Sequence, residues 1–208
     1  MDPRLPRLGD TKIDQLIGDF FAANEAGKAY LTLCEQRETS PIIDHITFRC
    51  NDIDRRADLF LKKGYCYEGE KVEYPDQGWW AKVYRKQGFP ALFIDQAYDD
   101  ARGQKSIIPQ WVSHFGDDLL HHAAVLVKDI EKSIEAMRPI GVTFAGEVAG
   151  NRGTRLRQIF SAAEVRDGAP FTVLELTERN GYEGFYPEQA NLLMASSVTT
   201  KGLPPCVP

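Results

Sequence analysis

IIDHITFRCNDI (residues 42–53) and LLHHAAVLVKDI (residues 119–130) can be laid over one another without a gap, and the rest of the 208-residue chain reads outward from that match. From His45 the dipeptide Asp52-Ile53 begins 7 residues on and Gly64 lies 19 on; from His122, Asp129-Ile130 begins 7 on and Gly141 lies 19 on. Each window predicts a strand of alternating apolar residues, then a helix opened by the aspartate (52–64 and 129–141), then a second strand after the glycine. GWWAKVYRK (78–86) and RLRQIFSAA (155–163) read as third strands. PALFID (90–95) and PFTVLE (170–175) read as last strands, each starting at a proline and carrying an acid five residues later, so Asp95 and Glu175 are expected to be repeat-equivalent. Agreement at a histidine, a helix-opening Asp-Ile, a glycine and a terminal acid indicates internal duplication.

The expected fold is α+β: two tandem βαβββ modules, 41–97 and 119–178, joined by a linker (98–118) and forming an open, barrel-like sheet around one cavity. Ahead of them, Ile13, Leu16, Ile17, Phe20 and Phe21 share one helical stripe, with Asp10 or Thr11 as N-cap. That predicts an N-terminal helical segment within residues 1–40, expected to act as a structural prop. Residues 179–208 are expected to form a closing helix and an extended or disordered tail.

Composition bounds the function. With 43% hydrophobic and 26% charged residues the chain is an ordinary globular one. Its net charge of −5 argues against nucleic-acid binding, which requires surplus Lys and Arg against phosphates. Its apolar runs are strand-sized, so no membrane span is expected, and MDPRLPRLGD at the start lacks the apolar region of a signal peptide. Cytoplasmic residence is the resulting expectation. The four cysteines, Cys34, Cys50, Cys66 and Cys206, lack CxxC spacing and are expected to be free thiols.

If the first strands and last strands of the two modules meet, their histidines and acids point inward together. Alternation puts Ile43, His45 and Thr47 on one face and Asp44 on the other, and it separates His121 from His122. Only His122 is in register with His45, so His121 is expected at the surface or beside the ligand set. Two imidazoles and the Glu175 carboxylate make a facial triad that binds a divalent metal and leaves adjacent positions open for substrate and dioxygen. Fe(II) is the expected ion, with Zn, Ni and Mn as alternatives. No Ser-His-Asp set or phosphate-cradling loop can be read here.

The doubled His-x-x-x-x-x-x-Asp-Ile followed by a glutamate in a final strand resembles the vicinal-oxygen-chelate superfamily, over residues 41–178. Within it, LRQIFSAAEVRDGAPFTVLELTER (156–179) is similar to the last module of the 4-hydroxyphenylpyruvate dioxygenases, and DHITFR (44–49) resembles the 2-oxoadipate dioxygenase/decarboxylase family. The resemblance implies an Fe(II)-dependent dioxygenase acting on a 2-oxo acid or related small carboxylate. In it Glu175 takes the ligand's place, Gln158 that of a glutamine near the substrate, and Arg49 that of an arginine holding the substrate carboxylate. Trp79, Trp80 and Phe160 would supply apolar walls. Asp95 departs from the three-ligand dioxygenases. In glyoxalase-type members all four equivalent positions bind metal, so a metal-dependent isomerase or lyase remains the alternative, as does a non-catalytic binding protein of the same fold. NGYEGFYPEQANLL (180–193) resembles the closing helix of hydroxyphenylpyruvate dioxygenase, with Tyr182, Phe185 and Tyr186 either lining a lid or packing on the sheet. Association into a homodimer through open sheet edges is left open.

Overall fold

The computed structural model describes residues 2–201. The N-terminal stripe forms two helices, α1 (Thr11–Ala23) and α2 (Glu25–Gln36). Asn24 divides them. Its backbone is extended, its N–H donates to Phe20 O at the end of α1, and its side-chain oxygen accepts from Gly27 N to start α2. Asp10 caps α1 by accepting from the Lys12 and Ile13 backbone N–H groups, as the polar residue before the apolar stripe requires.

The first βαβββ run is β1 (Ile43–Arg49), α3 (Ile53–Leu61), β2 (Cys66–Tyr74), β3 (Trp79–Arg85) and β4 (Ala91–Ala97). Next comes α4 (Ile108–Phe115), inside the stretch expected to be a plain linker; Ile108, Trp111 and Val112 form its buried face. The second run is β5 (His122–Leu126), α5 (Ile130–Met137), β6 (Phe144–Ala149) and β7 (Leu156–Ser161). A two-residue hairpin, β8 (Val165–Arg166) and β9 (Ala169–Pro170), precedes the last strand, β10 (Val173–Arg179), and α6 (Pro187–Ser196) follows. Asp52 and Asp129 cap α3 and α5 through the Arg55 and Lys132 N–H groups. Gly64 and Gly141, the matched glycines, adopt φ +88° and +89°, the left-handed turn that ends a helix and costs a side chain most.

Eight strands form one open sheet in the order β2-β3-β4-β1-β5-β10-β7-β6, which does not close into a barrel. The order is palindromic. β1 and β5 pair antiparallel at the centre, and each is flanked by the parallel last strand of its own run, β4 or β10. One face of the sheet carries Ile46, Phe48, Leu92, Ile94, Ala123, Val125, Leu174 and Leu176 into the main core, against α1, α2, α3 and α5. The other face turns His45, Arg49, His122 and Glu175 into a cavity roofed by α6.

The strand register corrects one expectation. His45 pairs with Ala91, and His122 with Val173. Two residues beyond Val173 lies Glu175, but two beyond Ala91 lies Phe93. Asp95 is therefore two positions further along, opposite Arg49, and its counterpart in the second run is Thr177. The two prolines misled the alignment: Pro90 directly precedes β4, whereas Pro170 belongs to the β8–β9 hairpin, three residues ahead of β10. A slip of two keeps each side chain on its face, so Asp95 still points into the cavity. Residues 202–208, with Cys206 and most of the expected tail, lie outside the described residues; Cys34, Cys50 and Cys66 are free. Among the described residues no helix is long and apolar enough to cross a membrane.

Candidate metal centre

His45 and His122 face each other across the central β1–β5 pair, and Glu175 reaches in from β10. His45 Nε2 lies 3.4 Å from His122 Nε2, and Glu175 Oε2 lies 3.3 Å from each. All three side chains are buried, and together they form a group able to hold a metal ion. Donors each about 2.1 Å from one ion, at the angles of octahedral or tetrahedral sets, lie about 3.0–3.4 Å apart, so the donor spacing fits a divalent metal.

The groups behind the donors hold them in place. Glu175 Oε1 accepts from Gln158 Nε2 at 2.7 Å and from Thr177 Oγ1 at 2.5 Å, leaving Oε2 directed at the histidines. Gln158, expected to orient the substrate, is instead bonded to the Glu175 carboxylate. His45 Nδ1 sits 2.7 Å from Asp44 Oδ2, and Asp44 in turn accepts from Arg179 Nε at 2.6 Å and Nη2 at 2.9 Å. This fixes the proton on Nδ1 and leaves the Nε2 lone pair free. Alternation placed Asp44 on the opposite face. A bulge between Ile43 and His45 breaks that alternation and re-aims it. His122 Nδ1 lies 2.9 Å from His121 Nδ1, so His121 is a buried neighbour of the ligand set and not a surface residue. His122 Nε2 also lies 2.8 Å from Thr47 Oγ1.

Charge balance matches the donor set. Burial alone disfavours an imidazolium, but Glu175 and the hydrogen bond to Asp44 outweigh it and raise His45 to about 9. Burial lowers His122 to about 3 against the pull of Glu175, and it keeps His121 neutral. Burial also works against the Glu175 carboxylate, yet the charge of His45 holds it below the usual range. The centre is built around one positive charge between buried carboxylates, a place a divalent cation can take by displacing a proton.

Arg49 enters the same cavity, four residues along β1 from His45. Its Nη2 donates to Ser197 Oγ at 2.9 Å and to Met194 Sδ at 3.1 Å, and its guanidinium lies 5.8 Å from the Trp111 ring. Burial lowers it to about 10, only partly offset by Asp95. Arg49 Nε and Asp95 Oδ1 have no hydrogen-bond partner, and the two residues form no direct ion pair. The walls are Trp79, Phe93, Phe160 and Phe185, with Leu193 and Met194 of α6 as roof. Phe185 packs edge-on to His45 at 4.9 Å. Trp80 is turned to the other face, against the main core, as strand alternation with Trp79 demands. Tyr182 and Tyr186 stack on each other outside the cavity.

No family model matches the chain, and no curated protein matches its sequence. Solved structures do. Rice (Oryza sativa) hydroxyglutarate synthase, solved in complex with 2-oxoadipate, superposes with a TM-score of 0.76 at 17% identity, over 90% of this chain and 91% of that one. A glyoxalase superfamily protein from Ralstonia eutropha JMP134 matches with a TM-score of 0.65 at 13% identity, over 86% of this chain and 85% of that one. The chain has the vicinal-oxygen-chelate fold. A substituted 4-hydroxymandelate synthase from Streptomyces coelicolor matches with a TM-score of 0.62 at 21% identity, over 77% of this chain but only 56% of that one. At these identities the likeness establishes the vicinal-oxygen-chelate fold and leaves the chemistry to the site itself.

Proposed function

We propose that this protein is an Fe(II)-dependent dioxygenase acting on a 2-oxo acid. The observation that carries the reading is the convergence of His45, His122 and Glu175 on one point, with Arg49 buried in the same cavity. The ion bound there would chelate the 2-oxo acid and activate dioxygen, the chemistry a two-histidine, one-carboxylate set supports by leaving adjacent positions open. His45, His122 and Glu175 would hold it. Gln158 and Thr177 hold Glu175 to a single donor oxygen, and Asp44 with Arg179 holds His45 in the tautomer that can bind. Arg49 supplies a fixed positive group for a substrate carboxylate. The aromatic walls keep bulk water out.

The rice synthase, crystallised with 2-oxoadipate, supports the choice of a 2-oxo acid as substrate class. The position of Asp95 supports three ligands over the four of a glyoxalase-like isomerase, since its carboxylate is outside the donor cluster.

Elemental analysis of protein purified without chelators, combined with oxygen uptake on 2-oxoadipate, tests the reading. The expected outcome is iron near one per chain and oxygen consumption that depends on the acid. Bound nickel or zinc with no oxygen uptake would overturn it.

A further inference from the structure

We propose that Met194 is a reversible oxidation site built into the roof of the metal cavity: hydrogen peroxide converts its thioether to a sulfoxide, and the Arg49 guanidinium holds the oxygen that is added. Such a modification is independent of which acid or ion the cavity takes.

Buried guanidinium groups are ordinarily met by carboxylates or carbonyl oxygens, because a desolvated cation without strong acceptors is costly. Arg49 is 2% exposed, and its Nη2 is met by a thioether and a hydroxyl instead, Met194 Sδ at 3.1 Å and Ser197 Oγ at 2.9 Å. Ser197 Oγ donates onward to Met194 O at 2.7 Å, so Arg49 is tied to the end of α6 twice. Arg49 Nε has no hydrogen-bond partner among the described residues. A thioether is a weak acceptor, whereas a sulfoxide oxygen is a strong one that can take a charge-assisted hydrogen bond. Oxidation gives the guanidinium the acceptor it lacks. While the sulfoxide stands, Arg49 is engaged by the roof and withdrawn from anything bound in the cavity.

The chain carries its own control. It has three methionines, of which Met137 and Met194 lie among the described residues. Met137 is fully buried among the apolar side chains of the main core, where a sulfoxide oxygen would be desolvated. Met194 lines the cavity together with His45, His122 and Glu175, so a small oxidant that enters the cavity meets its sulfur. The step balances without a further reactant. A sulfur lone pair attacks one peroxide oxygen, the S–O bond forms as the O–O bond breaks, and the departing hydroxide takes the remaining proton and leaves as water. Sulfur is oxidised by two electrons and the peroxide is reduced by the same two. The unbranched side chain then turns its new oxygen to Arg49. Because the contact with Arg49 fixes how the sulfur faces the cavity, the oxygen enters from one side and a single sulfoxide epimer forms. Met194 stands outside the cluster of His45, His122 and Glu175, so the metal is retained.

Protein loaded with Zn(II), which supplies no electrons to peroxide, is treated with hydrogen peroxide and digested, and the masses of the methionine peptides are measured. Met194 should gain one oxygen at least about tenfold faster than Met137. Zinc should stay bound, and only one of the two epimer-specific sulfoxide reductases should restore the parent mass. Met194→Gln, which sets an amide oxygen near the place of the sulfoxide oxygen, should melt within about 2 °C of the parent, whereas Met137→Gln should melt more than about 6 °C lower or fail to fold. In an Arg49→Met background, Met194→Gln should cost more than about 4 °C, because the donor to the amide oxygen is gone. Equal oxidation of Met137 and Met194, a mixture of both epimers, or a Met194→Gln variant that melts as far below the parent as Met137→Gln would overturn the proposal.

Discussion

Replacing Asp44 with alanine removes two things at once, the hydrogen-bond partner of His45 and, among the described residues, the carboxylate paired with Arg179. Both side chains are buried, 9% and 7% exposed, so the pair is not a screened surface contact. Taking one partner from a buried ion pair costs about 3–5 kcal/mol. Arg179 keeps hydrogen bonds to Tyr182 O and Gly184 O and its contact with the Phe185 ring, which points to the lower end, about 3 kcal/mol. For a chain of this size that is a melting point lower by about 6–12 °C. Loss of the histidine's outer hydrogen bond weakens metal binding by about 10- to 100-fold, or about 1.4–2.7 kcal/mol. The pH dependence has a definite sign. Burial opposes the Asp44 charge, but hydrogen bonds from His45 and Arg179 outweigh it and hold the group well below the carboxylate range. Its stabilisation is thus complete above the unfolded value of about 3.9 and is lost as pH falls. Chemical denaturation from pH 6 to 3 should show a shallower acid decline in Asp44→Ala than in the parent. Thermal melts in chelator and a metal titration complete the assay. A variant that melts within about 1 °C of the parent and binds metal equally well would refute the coupling of Arg179 and Asp44 to His45.

Arg49→Lys should raise KM for a 2-oxo acid by at least about tenfold, roughly 1.4 kcal/mol, because an ammonium cannot reproduce a planar two-point contact. Metal content, measured on the same preparation, should not change; loss of metal would make the arginine structural. Asn24→Ala removes the cap of α2 and the hydrogen bond to Thr172 Oγ1 at 3.1 Å from a fully buried position. It should destabilise the fold by about 1–3 kcal/mol in denaturant titration and leave metal stoichiometry unchanged.

The duplicated core was legible because period-2 strands, helix-opening aspartates and helix-ending glycines are set by backbone geometry, and these recur at equal spacing around His45 and His122. The cluster of His45, His122 and Glu175 followed from the same register. Asp44 was not legible as a partner of His45, since a one-residue bulge in β1 overrides the alternation that sent it to the other face. The exact standing of Asp95 was hidden for a related reason: proline landmarks in the sequence do not mark where a ladder begins, and strand pairing alone fixes which residues are opposite. Helix α4 was missed in the expected linker although Ile108, Trp111, Val112 and Phe115 stand at the i, i+3, i+4, i+7 spacing of a helical stripe. Met194 and Ser197 come to Arg49 from 145 and 148 residues away, a contact no local pattern encodes.

The palindromic sheet explains why displacement of one acid by two residues has chemical weight. Each half places a histidine at the same spot on its first strand, and each could place a metal-binding residue two steps beyond the position paired with that histidine. The second half puts Glu175 there and the first half puts Phe93, whose ring packs edge-on to Phe185 at 5.1 Å. One side of the centre is thereby polar and ligating, the other dry and without a donor. A metal held from one side only keeps coordination positions for two substrate oxygens, whereas an acid at residue 93 would occupy one of them. Asp95 stays on the same face because strands repeat every two residues. From there it stands opposite Arg49, outside the cluster of His45, His122 and Glu175.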